Sequence, residues 1–336
     1  MRLDTANRSF GALVIFCLLL GMYVFCGAVG CVLVPLIVSR VSQHGVDGLA
    51  NGTHNLLPAV LFVVLVGAGA VLGVRSLWRQ IAASRALAER VDSLALALPG
   101  ELAQTATETG LSGRVVLVDC PESFSFAYGA LEPRVAVSLG LLQGVSANEL
   151  RAVLEHERYH VRNLDPLKVL VVRALPATFF FLPALRALRA RYVAGRELAA
   201  DRRAVRACGR KPLVGALMKV VRGPAWNELE VAAAIGGSEL LDLRVAQLES
   251  GQEPRLAALT ATDAALSVFG ALAFAAIFVA SILGFGGASA VSGATGTGTS
   301  VSDILGSSMC VLPFAVGGLL IYRWIAWRAR EDLTRP

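Results

Sequence analysis

The chain alternates between long uncharged apolar runs and stretches whose apolar residues recur with helical or strand periods. Phe10 to Val38 is 29 residues without a charge, and Leu56 to Val74 is a second run of 19. Ala264 to Phe285 and Ile304 to Tyr322 are two more. Each is near the ~20 residues that cross the hydrocarbon core as a helix, so the pattern predicts four transmembrane helices. The first run is too long for the core of a secretory signal and is not followed by a small-residue cleavage site.

The segment between the second and third runs has a different texture. Arg75 to Leu98 is helical in pattern and is ended by Pro99-Gly100. Val115-Val116-Leu117-Val118 is a short apolar, β-branched run, and Phe124-Ser125-Phe126 and Val135-Ala136-Val137-Ser138 alternate, with Gly129 and Pro133 between them. This predicts a small antiparallel sheet. Pro133 has no N–H for a ladder, which favours an edge position for the last strand, Arg134 to Ser138, where an extended peptide could pair. Ser146-Ala147-Asn148-Glu149 has the form of a capping box, with Val145 and Leu150 placed as a hydrophobic staple, and predicts a helix through His160.

Leu167 to Leu185 is apolar but interrupted by Lys168 and Arg173. Two crossings need about 40 residues plus a turn, whereas 36 residues separate His160 from Glu197. A single crossing would leave those two residues on opposite sides of the bilayer. The expectation is a membrane-associated helical hairpin over 167–190, bent at Pro176 and Pro183. The expected layout is an N-terminal transmembrane hairpin over 1–75, a soluble domain over 76–263 and a C-terminal transmembrane hairpin with a short tail over 264–336.

Charge orients this layout. The 39–55 loop has one arginine, Arg40, and no lysine, and the 286–303 loop carries no lysine or arginine. Arg2 and Arg8 precede the first run, Arg75, Arg79, Arg85 and Arg90 follow the second, and Arg328, Arg330 and Arg335 close the chain. The positive-inside rule then places both termini and residues 75–263 in the cytoplasm. Composition agrees: charged residues are 17% of the chain, below the roughly 25% of soluble domains, and the mean hydropathy is +0.62. A net charge of +6 carried by arginines flanking apolar runs suits an anionic membrane surface, and no direct nucleic-acid binding is expected. The six cysteines form no C-x-x-C pair and read as small hydrophobes, so neither a disulfide framework nor a Cys-based metal site is expected.

The candidate chemistry is H-E-x-x-H. His156 and His160 are four apart on a predicted helix, so both imidazoles can meet one metal ion, while Glu157 flanks it within reach of a bound water. That spacing points to Zn2+ with Glu157 as general base. A catalytic zinc needs a third protein ligand and one open position. His44 and His54 fall in a predicted outer loop, which leaves Glu197 as the best candidate. Asp201, four residues on, is placed to accept the free N–H of a ligand histidine. Arg196 and Arg202 are alternative ion-pair partners for Glu197. Arg202, Arg203 and Arg206 read as a solvated basic face sooner than as oxyanion donors, and Asp165 reads as a structural helix-terminus or loop residue sooner than as a catalytic group.

From about Phe124 to Val205 the chain resembles the BlaR/MecR-type antirepressor membrane metallopeptidases. The resemblance is carried by Phe124-Ser125-Phe126-Ala127-Tyr128-Gly129, Pro133-Arg134-Val135-Ala136-Val137, the helix from Leu150 to Glu157 with His160, Asp165-Pro166-Leu167, Phe181-Leu182-Pro183 and Glu197-Leu198-Ala199-Ala200-Asp201. It implies a gluzincin-like α+β domain facing the cytoplasm, with His156 and His160 as zinc ligands, Glu157 as base and Glu197 as third ligand. It also implies proteolysis of a repressor, or of the protein itself, in signal transduction. Sensor members carry an extracellular penicillin-binding domain after the last span. This chain runs about a dozen residues beyond Tyr322, so a β-lactam sensing role is not expected unless a separate protein or the short outer loops detect the signal.

The expected fold is thus a mainly α multi-pass membrane protein with a cytoplasmic metallopeptidase domain. Three functions remain open: a regulatory endopeptidase acting on a cytoplasmic or membrane protein, with a transcription repressor as one candidate; an HtpX-like quality-control protease; and a non-catalytic membrane signal transducer.

Overall fold

A computed structural model describes Gly21 and residues 57–221, 237–256 and 259–292. The predicted spans Phe10–Val38 and Ile304–Tyr322 lie outside the described residues. The chain divides into two compact units. Ala68–Ala271 belongs to the first; the second takes in Leu20–Gly67 and Leu272–Pro336.

The second run of apolar residues and the helical stretch after it form one continuous helix, α1 (Leu57–Ser93). The third predicted span lies within α9 (Ala261–Ser292). By length and composition both could cross a membrane: the most apolar 18-residue stretches of α1 and of Ala261–Ser281 have mean hydropathies of 2.5 and 2.2. Most of their apolar surface faces outward: Val71, Val74, Trp78, Phe269 and Leu272 are exposed. Such a surface is costly in water and costs nothing against lipid. In the second unit, Phe62 sits against Phe274 and Phe278 at ring-centroid distances of 5.2 and 5.0 Å.

In the first unit, α1 is followed by β1 (Ala95–Leu96), α2 (Gly100–Glu108), β2 (Val115–Val118), β3 (Ser125–Tyr128) and β4 (Arg134–Ser138). The three strands fall where the sequence pattern predicts them, but the sheet is mixed, not antiparallel. Its order is β1-β2-β4-β3. β4 runs parallel to β2, with Val115 opposite Val135, and antiparallel to β3, with Phe126 opposite Ala136. The expected edge strand is therefore internal. Pro133 precedes the first ladder residue, so its missing N–H costs no bond and marks no edge. The β3–β4 hairpin turns at Gly129, whose φ of +86° and close approach to Glu132 O exclude a side chain.

Helices α3 (Leu139–Gly144) and α4 (Ala147–Arg162) follow. The capping box is formed: the Glu149 backbone N–H donates to Ser146 Oγ, and the Ser146 N–H donates to Glu149 Oε2 at 2.7 Å. One face of α4 buries Leu150, Leu154 and Val161 in the main core with Leu117, Val135 and Val137 of the sheet. The other face points away from that core and carries His156 and His160.

Helices α5 (Asp165–Thr178) and α6 (Ala184–Cys208) follow and pack against each other as a helical hairpin. Pro183 stands at the start of α6, while Pro176 is held within the last turn of α5. The tip packs closely on neighbouring helices. A Cβ at Gly69 would meet Thr178 O at 2.6 Å, and one at Gly270 would collide with Phe181 O. The unit is completed by α7 (Arg210–Val221) and α8 (Gly237–Ser250), both packed on α6.

Candidate metal centre

The hairpin returns α6 across α4, the most extensive helix pairing among the described residues. His156 and His160 are buried on α4, their ring centroids 4.9 Å apart, and their Nε2 atoms approach to 3.2 Å. From α6, Glu197 Oε2 lies 3.3 Å from His156 Nε2 and 3.6 Å from His160 Nε2. Ligands at ~2.05 Å on a tetrahedral ion are separated by about 3.3 Å, so these distances match three corners of a zinc-sized tetrahedron. Among the described residues this is the group of histidine and carboxylate donors arranged to hold a metal.

The far side of each ring explains why the Nε2 atoms face inward. His160 Nδ1 is 2.7 Å from Asp165 Oδ2, and His156 Nδ1 is 2.9 Å from Asp201 Oδ1. A carboxylate can only accept, so the His160 Nδ1 carries the proton and its Nε2 presents a lone pair, and the close approach of the Asp201 carboxylate to His156 Nδ1 favours the same tautomer there. Two lone pairs and an anionic oxygen then converge on one point, an arrangement that repels itself unless a cation sits there. The donor set therefore fits a divalent metal.

The electrostatics point the same way. Burial alone would lower the His160 imidazole, but Glu197 and Asp165 raise it to about 10. Burial opposes charge on His156 too, yet Asp201 and Glu197 raise it. Burial would raise Glu197, but His160 and Arg196 hold it well below the usual carboxylate range. Asp201 is carried down to about 2, against burial, by Arg244 and His156. The field of these carboxylates favours positive charge between the rings, whether protons or a metal.

Two arginines complete the set. Arg196 holds the other oxygen of Glu197, with Nη2 at 2.9 Å and Nε at 3.1 Å from Oε1, leaving Oε2 toward the histidines. Arg244, on α8, grips Asp201 with Nε and Nη2 both at 2.8 Å. Glu197 thus meets Arg196 and the histidines at once, so the two readings of its sequence context are compatible. Arg202 pairs instead with Glu253 at 3.0 Å, and Arg203 and Arg206 are outside the cavity lining.

Asp165 does more than the helix-terminus role read from the sequence. It opens α5, but its side chain is buried against His160. Leu164, in the left-handed region at φ 53°, turns the chain back sharply enough to place it there. The signal available in sequence was its position five residues after His160. Arg196 and Arg244 offered no comparable signal: Arg244 is 43 residues from Asp201 and is not part of a motif.

A cavity of about 580 Å³ opens over these groups. Glu157, buried beside the histidines, is in its wall, together with residues 125–129 of β3 and the loop after it. Among the described residues β3 has no strand on its outer side. The cavity is otherwise mainly apolar, with Val153, Val169, Leu170 and Leu213 among its lining.

The profile of the family described as BlaR1 peptidase M56 matches residues 34–248, more than half of the chain. The chain is 39% identical over 85 residues to the Protease HtpX of Aeromonas hydrophila subsp. hydrophila, covering 24% of this chain and 29% of that protein. It is 31% identical over 146 residues to the Protease HtpX homolog of Herminiimonas arsenicoxydans, covering 41% of this chain and 50% of that protein. The chain thus spans half or less of the length of these curated relatives. No solved structure matches it.

Proposed function

We propose, starting from the premise that the chain belongs to the BlaR1 peptidase M56 family, that it is a zinc-dependent membrane endopeptidase. The observation that carries this reading is the convergence of His156 Nε2, His160 Nε2 and Glu197 Oε2 within 3.2–3.6 Å, with an acid next in chain to the first histidine. In this reading His156, His160 and Glu197 hold the zinc, and Asp201 and Asp165 orient the two rings. When bound, zinc polarises the scissile carbonyl and lowers the pKa of water towards neutrality. Glu157 takes the proton from the attacking water and returns it to the departing amine. The outer edge of β3 offers main-chain groups to an extended peptide, and the apolar cavity wall excludes water around the scissile bond. That role passes to β3 because β4 is enclosed between two strands.

The arginine distribution supports four spans with the site and both termini in the cytoplasm. The substrate is a cytoplasmic or membrane protein, with a transcription repressor in signal transduction as one candidate. Similarity to the HtpX proteases favours a second reading, broad quality-control cleavage with the same chemistry. Profiling new protein N-termini in cells carrying wild type or Glu157→Gln separates them. One or a few sites lost with Glu157→Gln fit regulation, and many lost sites fit quality control. Identical profiles contradict the peptidase reading and leave the non-catalytic transducer.

A further inference from the structure

We propose that Arg244 is a positioning residue for the metal centre: through Asp201 it sets the orientation of the His156 ring, making α8 part of a site to which it supplies no ligand. The inference rests on His156, His160 and Glu197 being the metal ligands.

The two histidines are supported in different ways. His160 is oriented by Asp165, five residues along the same stretch of chain, so its support is local. His156 is oriented by Asp201, and that carboxylate is itself held by a helix 43 residues further on. The terminal torsion of an aspartate is broad and roughly two-fold. A single contact to an imidazole therefore leaves the carboxylate plane free to turn. Arg244 removes that freedom, because its Nε and Nη2 bond separate oxygens at 2.8 Å each, which ties the carboxylate to the guanidinium plane. Asp201 is fully buried, so no water substitutes for the fork.

α8 is held in register by a second contact on the same face. Gln247, three residues after Arg244, donates from Nε2 to Leu198 O at 2.9 Å, one turn from Asp201 on α6. Its Oε1 accepts from Arg202 at 3.4 Å. Stability alone is a weak reason to bury such an ion pair, since an apolar pair of similar volume would serve as well. A fixed carboxylate plane next to a ligand histidine is something an apolar pair cannot provide. Lysine, a point charge without the fork, cannot provide it either.

The test uses the full chain in detergent micelles as wild type, Arg244→Lys, Arg244→Leu, Asp201→Asn and the Asp201→Asn/Arg244→Leu double variant. Zinc affinity is measured by chelator competition, ligand geometry by the visible absorption of the Co2+-loaded protein, and helix content by circular dichroism. Both Arg244 variants are expected to bind zinc about 10- to 100-fold more weakly with a shifted Co2+ spectrum and unchanged helix content. The double variant should bind no more weakly than Asp201→Asn alone, because the arginine acts through that carboxylate. Wild-type affinity and spectrum in Arg244→Lys would overturn the proposal, as would losses that add in the double variant. If Arg244→Leu does not fold, the lysine variant, which keeps charge and length, decides alone. A wild type that binds no zinc would instead overturn the ligand assignment.

Discussion

Replacing Asp165 tests how much of the metal site lies outside its ligands. The carboxylate is buried and accepts from His160 Nδ1 at 2.7 Å. A hydrogen bond to a charged group contributes about 1.5–3 kcal/mol, and a neutral one about 0.5–1.5. Asp165→Asn keeps an acceptor oxygen of the same size but loses the charge, a deficit of about 1 kcal/mol, or roughly five-fold in zinc affinity. Asp165→Ala loses the whole contact, about 2 kcal/mol, or roughly 30-fold, and frees the ring to turn. The ordering wild type, Asn, Ala should appear in chelator-competition titrations of the purified chain. The His160 tautomer is the physical cause, so the same ordering should hold in cleavage rate at limiting zinc and weaken at saturating zinc. Equal zinc affinity for wild type and Asp165→Ala would refute the argument that this carboxylate holds the ring.

Glu157→Gln should retain zinc and lose cleavage by about 10²- to 10⁴-fold, since it removes only the proton carrier; loss of zinc in this variant would contradict that role. Asp201 sits at about 2 when folded, below its ordinary 3.8. A lowered carboxyl contributes stability that is present above the unfolded value and lost as pH falls through about 2, here ~2 kcal/mol. Chelator-treated protein should therefore unfold at lower urea at pH 2 than at pH 5, and Asp201→Asn should flatten part of that difference. Gly129→Ala forces a side chain into a left-handed turn and onto Glu132 O, so a loss of about 1–2 kcal/mol is expected by urea titration. An unchanged midpoint would count against the β3–β4 geometry.

The sequence was most informative where a local rule decides structure. Ser146 and Glu149 announced α4 because a capping box is satisfied within four residues. The 36 residues between His160 and Glu197 argued against two membrane crossings by length alone, and helices α5 and α6 occupy that stretch. Strand positions were legible from alternation, but their order was not. Period two says that a segment can pair, and it does not say with which neighbour or in which direction. β1 is two exposed residues and left no pattern to read. The members of the His156, His160 and Glu197 cluster were visible as spacing, whereas the groups that support them were not. Asp165 depends on a left-handed Leu164, and Arg244 on the docking of α8, and both are products of tertiary packing.

The most direct measurement is X-ray absorption at the zinc edge of the purified, zinc-loaded chain, with metal content determined for His156→Ala, His160→Ala and Glu197→Ala. One zinc per chain is expected, bound by two imidazole nitrogens at about 2.0–2.1 Å and a carboxylate oxygen at about 2.0–2.2 Å, with binding severely weakened in each variant. A sulfur neighbour, a single histidine, or full zinc content in Glu197→Ala would contradict the site described here.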